Sequence, residues 1–538
     1  MSGEQVTITI DGRTVQVRKG TTILEATRTM GISIPYYCYH PGLSVAGSCR
    51  MCLVEIEKNP KLQPSCATPA MEGMVVRTQT PAALQNRRGV LEFLLLNHPL
   101  DCPVCDQAGE CELQNYYMDH GRYDPRFNEN KMKRKKAFPI GPYVILDQER
   151  CILCTRCVRF CNEISGTGEL CVHNRGHFSE IDIFPGAELN NPYSGNVVDI
   201  CPVGALTDRD FRFECRVWFL GRTRSICPGC SRGCNIEIHF NEQFNPRYHH
   251  KRVHRLKPRF NPDVNSYWMC DEGRYAYHSI DARNRLAEPA VRDGNSLRPA
   301  TWDEAIEKAA TALQQALKNH GAQGVGLLAS PQMTNEELFH LKLLFRDMLK
   351  VENIEYRVPL KEAVYSDDFL ITADKHPNSR SAEVQGLAGR GSDALLRACA
   401  EGQIRFLYIC HHDLTRGYDV AQLREALGKV DFIAFQGPWR HWTCDMSHAA
   451  LPAAVCAEKE GSFTNIQGRV QRIHAAVPAL GDSLPDLEII GRLGSALDAP
   501  LPLPSPAEVF RALAERIPAF AGMSYETVGD GGQLLKQD

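Results

Sequence analysis

The chain has 538 residues, and at roughly 150 residues per domain that length holds three or four packed cores. Lysine plus arginine number 61 against 64 aspartate plus glutamate, a formal net charge of −3, so no global field argues for nucleic acid or an anionic membrane surface. No run of about 18 apolar residues and no basic-then-apolar leader is visible, which reads as a soluble, unexported chain in a reducing compartment.

In chain order, Val6, Ile8 and Ile10 alternate with polar residues, Asp11-Gly12 makes a hairpin turn, and Val15 and Val17 resume the alternation. Thr22-x-x-Glu25 is a capping box for a helix carrying Leu24, Ala26 and Met30 that ends near Gly31. This β-β-α start resembles the β-grasp of ferredoxins. Between 81 and 120 the pattern turns helical, with Val90, Leu91, Leu94 and Leu95 spaced for one buried face. The basic runs Lys131–Lys136 and His249–Arg259 read as solvated linkers, with a docking patch for an acidic partner as the alternative. Beyond residue 280 the chain becomes α/β. Thr301-x-x-Glu304 opens a helix through Leu317, Val325–Ala329 is a strand, and Thr334-x-x-Glu337 opens a helix through Leu349. Phe406–Cys410, Val420–Leu427 and Phe432–Phe435 continue as strand, helix and strand, which implies a parallel sheet covered on both faces. The glycine-rich end from Gly529 reads as a frayed tail.

Of 22 cysteines, 18 lie at or before Cys270, and in a reducing compartment short fixed gaps between thiols mark metal ligands rather than disulfides. Cys38, Cys49, Cys52 and Cys66 form C-x10-C-x2-C-x13-C, with small residues between the first two that let backbone N–H groups approach sulfides. Four thiolates suffice for one two-iron cluster, and a structural zinc is the rival. His98, Cys102, Cys105 and Cys111 form H-x3-C-x2-C-x5-C, a set that serves zinc or a four-iron cluster equally by spacing. Cys151, Cys154 and Cys157 form C-x2-C-x2-C and supply three corners of a cubane; Cys201, followed by Pro202, is a better fourth ligand than Cys161, which Asn162 follows. Cys161, Cys171 and Cys215 are then buried thiols near that cluster. Cys227, Cys230, Cys234 and Cys270 form C-x2-C-x3-C-x35-C, where zinc again competes. Four adjacent structural zincs have no evident purpose, whereas adjacent electron carriers form a wire.

This ordered set, with Cys157-Val-Arg-Phe-Cys161 and Glu460-Gly-Ser-Phe-Thr-Asn465, resembles the large iron–sulfur subunit of the peripheral arm of respiratory complex I, in the bacterial form with an extra four-iron cluster. The resemblance implies a two-iron cluster on Cys38, Cys49, Cys52 and Cys66, and a histidine-ligated four-iron cluster on His98, Cys102, Cys105 and Cys111. It implies two more four-iron clusters, on Cys151, Cys154, Cys157 and Cys201 and on Cys227, Cys230, Cys234 and Cys270. It further implies electron transfer from an NADH-oxidising flavoprotein subunit, with a small two-iron subunit beside it, toward a two-cluster ferredoxin-like subunit and the quinone-site subunits. The site would be the cytoplasmic side of the bacterial inner membrane, peripheral, through the complex. No catalytic residue is expected on this chain, and no Gly-rich phosphate loop follows a predicted strand, so NADH oxidation belongs elsewhere.

The second half is similar to the body of molybdopterin oxidoreductases. A carboxylate, Glu272, stands two positions after Cys270, where that superfamily commonly has lysine, and no cysteine lies between Cys270 and Cys399 to ligate molybdenum. No molybdopterin is therefore expected. His411 and His412, at the end of a predicted strand, sit where α/β sheets place ligand sites but read as solvated strand-end histidines, and Cys399, Cys410, Cys444 and Cys456 read as core or surface thiols. The resulting fold class is multidomain α+β and α/β: a β-grasp two-iron domain at 1–80, a histidine-ligated cluster domain at 81–120 and a ferredoxin-like domain at 141–220. A molybdopterin-oxidoreductase-type cluster domain at 221–278 and a degenerate α/β body at 279–538 follow. The alternative is the iron–sulfur subunit of a soluble NAD-linked hydrogenase or formate dehydrogenase.

Overall fold

Apolar alternation buries one face of strand β1 (Gln5–Ile10), which turns through left-handed Asp11 and Gly12 into β2 (Arg13–Arg18). The computed structural model describes residues 4–241, 251–501 and 505–536 and separates into two units, Met1–Leu220 and Gly221–Asp538. In the first, β3 (Leu53–Ile56), β4 (Gln63–Pro64) and β5 (Val75–Arg77) complete a sheet ordered β2-β1-β5-β3-β4, with β1 and β5 parallel. Helix Ile23–Thr29 contributes Leu24 and Ala26 to the core shared with this sheet. Its start is the capping box read from the sequence: Glu25 N–H donates to Thr22 Oγ1 at 3.2 Å, and Thr22 N–H to Glu25 Oε2 at 3.1 Å. Thr22→Ala is expected to cost this domain about 1 kcal/mol, measured as a lower denaturant midpoint. An unchanged midpoint would mean that packing alone fixes the helix.

Helix Pro81–Leu95 buries Leu91 fully and Val90, Leu94 and Leu95 in part, against a core of Tyr37, Met51, Cys111 and Val203. Helix Glu112–His120 follows. Strands β6 (Phe138–Pro139) and β7 (Val144–Leu146) precede helix Arg156–Glu163, the hairpin of β8 (Leu170–His173) and β9 (Glu180–Ile183), and β10 (Leu206–Asp208), which closes a sheet ordered β10-β7-β6. The basic run 131–136 is not the free linker its charge suggests. Lys131 Nζ donates to the carbonyls of Leu95 and Leu96 at 2.7 and 3.1 Å, at the carbonyl-rich end of helix Pro81–Leu95. Arg134 donates to the Ser179 carbonyl at 2.7 Å, and Lys136 bonds Asp101 at 2.5 Å and Glu149 at 3.0 Å.

The second unit opens with a sheet of β11 (Leu220–Ile226), β12 (Asn235–Asn241) and β13 (Val253–Pro258). His249 and His250 of the second basic run lie outside the described residues. The remainder is not a linker: it continues into β13, where His254 and Arg255 are buried. Strands β14 (Ala290–Asp293), β15 (Ser296–Pro299), β16 (Val325–Leu328), β17 (Asn353–Glu355), β18 (Phe406–Cys410), β19 (Phe432–Gly437) and β20 (Ala449–Pro452) form a sheet ordered β15-β14-β20-β19-β18-β16-β17. Its five strands from β17 to β20 are parallel, and β14 joins β20 antiparallel.

Residues of β18 alternate between two cores. Phe406, Tyr408 and Cys410 face helices Trp302–His320 and Asp486–Ala496, and Leu407 and Ile409 face helices Ser392–Ala400 and Val420–Leu427. Cover on both faces is why the strand reads as an unbroken apolar run. The helix opened by Thr334 is α-helical only over Asn335–Leu341 and continues as a π-helical turn, Lys342–Met348. Strands β21 (Gly461–Thr464), β22 (Arg469–Ile473) and β23 (Gln533–Leu534) form an antiparallel sheet, so the end is not frayed: Leu535 N–H donates to the Gly468 carbonyl at 2.7 Å and Lys536 N–H to that of Ala519 at 2.9 Å.

Candidate metal centres

The loop from Cys38 to Cys52 leaves helix Ile23–Thr29 and re-enters the sheet at β3, while Cys66 follows β4. Left-handed Gly47 and Arg50 bend the loop around the thiols. The Cys38 thiol is within hydrogen-bonding reach of Cys49 and Cys66, and Cys52 of Cys66. Those bonds hold the Cys38 pKa well below the usual thiol range and push that of Cys66 up.

In the second group Cys111 is buried, Cys105 is partly buried and Cys102 is exposed. Burial, with the nearby charges of Arg150 and Lys131, lowers the His98 pKa to about 4, so the ring is neutral at neutral pH. Its buried Nδ1 has no hydrogen-bond partner. A neutral imidazole with an unclaimed nitrogen suits a metal ligand. Arg150 lies beside both His98 and Cys105.

Cys151 and Cys154 lie on a loop twisted by left-handed Leu153 and Thr155, two non-glycine residues in a conformation that costs energy, and Cys157 stands in the first turn of helix Arg156–Glu163 that follows. Leu153 N–H donates to Cys151 Sγ at 3.4 Å. Burial pushes Cys151 up to about 12 and Cys154 up to about 11, and Cys201 bears on both as a further negative charge. Cys161 faces Glu169 and the Leu170 backbone, and it bears on Cys157. Cys161 and Cys215 are buried as expected. Cys171 is not; it is partly exposed in β8, with Sγ 2.9 Å from His173 Nε2, because the two-stranded hairpin covers only one of its faces.

Cys227, Cys230, Cys234 and Cys270 line one cavity in the second unit, and Cys227 N–H donates to the Cys234 carbonyl at 2.8 Å. Burial drives Cys227 and Cys234 well above the usual thiol range and Cys270 to about 12. Gly273 N–H donates to Cys270 Sγ at 3.3 Å, and a Cβ on Gly273 would stand 2.8 Å from Cys227 Sγ. Glu272 is exposed and pairs with Lys375 at 2.6 Å.

Soft thiol donors, with one neutral imidazole, gathered on neighbouring loops or around one cavity are a donor set suited to iron or zinc, so these sets fit metal.

The groups of the first unit adjoin one another. Cys49, Cys151, Cys154 and Cys201 all pack against the core that contains Tyr37, Met51 and Cys111. The segment after Cys201 touches the second group: Cys111 Sγ lies 3.9 Å from the Pro202 carbonyl, and a Cβ on Gly204 would stand 2.3 Å from Cys105 Sγ. Gly204 and Tyr37, which pack beside the candidate ligands, carried no signal in the sequence, although Gly204 lies two residues after Pro202.

At the carboxyl ends of β18 and β19 the expectation of solvated histidines fails. His411 Nε2 bonds Asp486 Oδ1 at 2.7 Å, and His412 is buried with Nε2 2.9 Å from the Ala329 carbonyl, burial lowering its pKa to about 3. Lys459 Nζ bridges Glu337 at 2.9 Å and Asp486 at 2.6 Å, and Gln436 Nε2 donates to Asp486 at 2.6 Å. These bonds hold side chains of the protein itself at the place where a parallel sheet offers a ligand site, and His411 and Lys459 also line a cavity there.

Family profiles match in the same order along the chain. They are a 2Fe-2S iron-sulfur cluster binding domain at residues 3–81, the NADH-ubiquinone oxidoreductase-G iron-sulfur binding region at 87–126, and the ferredoxin-like domain of NADH-quinone oxidoreductase subunit 3 at 141–207. Molybdopterin oxidoreductase matches at 285–375 and 378–496. Cluster-binding domains ahead of a molybdopterin-oxidoreductase-like body define an iron–sulfur oxidoreductase component. The G-type subunit of the Rickettsia conorii NADH-quinone oxidoreductase is 30% identical over 96% of this chain and 91% of that protein, and the chain belongs to this family of NADH-quinone oxidoreductase subunits. The corresponding Streptomyces coelicolor protein is 40% identical over 67% of this chain but 42% of its own length, and the chain spans about half the length of most curated relatives it matches. A solved NAD+-reducing nickel–iron hydrogenase in the H2-reduced state matches 39% of this chain and 91% of that chain at 31% identity, with a TM-score of 0.34.

Proposed function

We propose that this chain is the electron-transfer subunit of an NADH:quinone oxidoreductase, carrying single electrons from a flavoprotein subunit toward the quinone-site subunits. No substrate bond is made or broken on it. Cys38, Cys49, Cys52 and Cys66 would hold a two-iron cluster. Three four-iron clusters would sit on His98, Cys102, Cys105 and Cys111, on Cys151, Cys154, Cys157 and Cys201, and on Cys227, Cys230, Cys234 and Cys270. When bound, such clusters supply reversible one-electron chemistry. The observation that carries this reading is the packing of thiols from three of the groups against one apolar core.

The chain's own residues hold and tune. Tyr37, Met51 and Val203 are buried and keep water from the thiols around them. Arg150 beside Cys105, and Arg156 and Arg159 beside Cys154, place positive charge where negative charge accumulates. His98, neutral, leaves its centre one negative charge short of an all-thiolate set, which favours reduction. The body beyond residue 279 acts as scaffold, with the Lys459–Asp486–His411 network at its sheet ends.

Among the described residues no helix is long and apolar enough to cross a membrane, and attachment at the cytoplasmic face would run through partner subunits. Phe93, Leu100, Val104 and Met118 are exposed apolar side chains of the kind neighbouring subunits cover. Anaerobic purification of the native assembly tests the reading. Iron and acid-labile sulfide should exceed zinc, and dithionite should elicit EPR signals; a colourless, EPR-silent protein overturns it. Co-purified subunits distinguish quinone-site partners from a nickel or molybdenum subunit.

A further inference from the structure

Helix Arg156–Glu163 leaves the Cys151–Thr155 loop and grips the loop that carries Cys38. Arg159 Nη2 donates to the Cys38 carbonyl at 2.5 Å and to the Cys154 carbonyl at 3.3 Å, and its Nη1 donates to the Ser44 carbonyl. One turn on, Glu163 accepts from the Ser44 N–H at 2.8 Å and from the Ser44 hydroxyl. Residues 159 and 163 share a helix face, so both act on the same stretch of the partner loop. The two carbonyls that Arg159 Nη2 joins belong to candidate ligands 116 positions apart in the sequence, one from each of two groups.

A guanidinium is planar, permanently charged and forked, so it can fix two carbonyls at a set spacing; an ammonium is a point charge on a flexible stem. Electron transfer through protein falls off exponentially with distance, so a residue that sets the spacing of two ligand loops sets the rate between them. Its charge also favours the more negative, reduced form of either neighbour.

We propose that Arg159 is a positioning residue for electron transfer between the two-iron group and the Cys151–Cys201 group, tying their loops together and holding positive charge between them. The inference rests on the cluster assignment above. The transfer it serves oxidises one centre and reduces the other by one electron, with no proton moved and no bond broken.

Redox titration of the native assembly, followed by EPR, tests it. In Arg159→Gln both centres should become harder to reduce, by about tenfold in the equilibrium, which is ~59 mV for one electron. Arg159→Lys should restore the midpoints while altering the spin–spin interaction between the two centres, because one ammonium cannot hold the fork's spacing. Unchanged midpoints in Arg159→Gln with both signals present overturn the proposal, as does failure of lysine to restore them. If Arg159→Gln assembles without its clusters, Arg159→Lys decides alone, and an unaltered spin–spin interaction there overturns it. Wild-type protein without iron would instead refute the cluster assignment itself.

Discussion

Lys459→Met is expected to destabilise the carboxy-terminal unit by about 3–5 kcal/mol, the usual result of removing one partner from a buried ion pair. Lys459 is buried, and its ammonium balances Glu337 and Asp486, both buried too. Burial alone would lower its pKa, but the charges of Asp486 and Glu337 outweigh that and hold it above the usual lysine range. Burial likewise opposes ionisation of Asp486, and His411 and Lys459 outweigh it, holding that carboxyl below its usual range. The signs follow. A depressed carboxyl contributes stability above its unfolded pKa, near 4, and loses it as pH falls; a raised lysine contributes stability below its unfolded pKa, near 10, and loses it as pH rises. Burial raises the Glu337 pKa instead, so ionising it costs stability above its unfolded pKa and Lys459 offsets only part of that; the Asp486–Lys459 pair is what stays whole across neutral pH. In Lys459→Met the stranded carboxylates regain protons more readily, so the deficit against wild type should narrow from pH 7 toward pH 5. Tryptophan fluorescence during urea unfolding reports this unit selectively, because Trp268, Trp302, Trp439 and Trp442 lie in it and only Trp218 outside. A loss below about 1 kcal/mol, the range of an exposed pair, would mean that the network is solvated.

That network also marks where sequence reading stops. Thr334-x-x-Glu337 was legible as a capping box because its partners are three residues apart, and the box forms, with Thr334 N–H donating to Glu337 Oε2 at 2.8 Å. That the same carboxylate bonds Lys459, 122 positions away, and that His411 bonds Asp486, 75 away, depends on how strands and helices stack. Local periodicity carries no record of such pairs, so His411 read as solvated. The same holds for Lys131, Arg134 and Lys136, whose acceptors are carbonyls and carboxylates of other segments, and for β23, which pairs with β22 across some sixty residues. Strands and capped helices were visible because their patterns repeat at short range: Val6, Ile8 and Ile10, or the two-sided run Phe406–Cys410. The four thiol groups were visible for a related reason, since most of their members are a few residues apart. Cys201 is the one candidate ligand of its group far from the others in sequence, argued from the proline after it; it packs with Cys151 and Cys154 against one core, which by itself does not test it as a ligand.

Gly204→Ala is the substitution expected to do most to metal content for the least change in side chain. The added methyl would stand 2.3 Å from Cys105 Sγ and 3.2 Å from Gln107 Cβ, far inside van der Waals contact with sulfur. Backbone conformation is not the obstacle, as Gly204 is not among the positive-φ residues. Relief requires the Cys105 thiol to rotate away or the segment to retreat, and the segment begins at Cys201. Either movement displaces a candidate ligand. The variant should therefore lose the four irons of the His98-group cluster, and its EPR signal, with Cys201 drawn in if the backbone yields rather than the thiol. Gly89→Ala is the control: its Cβ meets nothing within 4 Å, and in the interior of helix Pro81–Leu95 alanine is favoured by about 1 kcal/mol, so iron content should stay at the wild-type level. Full iron and unaltered spectra in Gly204→Ala would mean that Cys105 does not point toward a cluster, and that the second group is assembled in some other way.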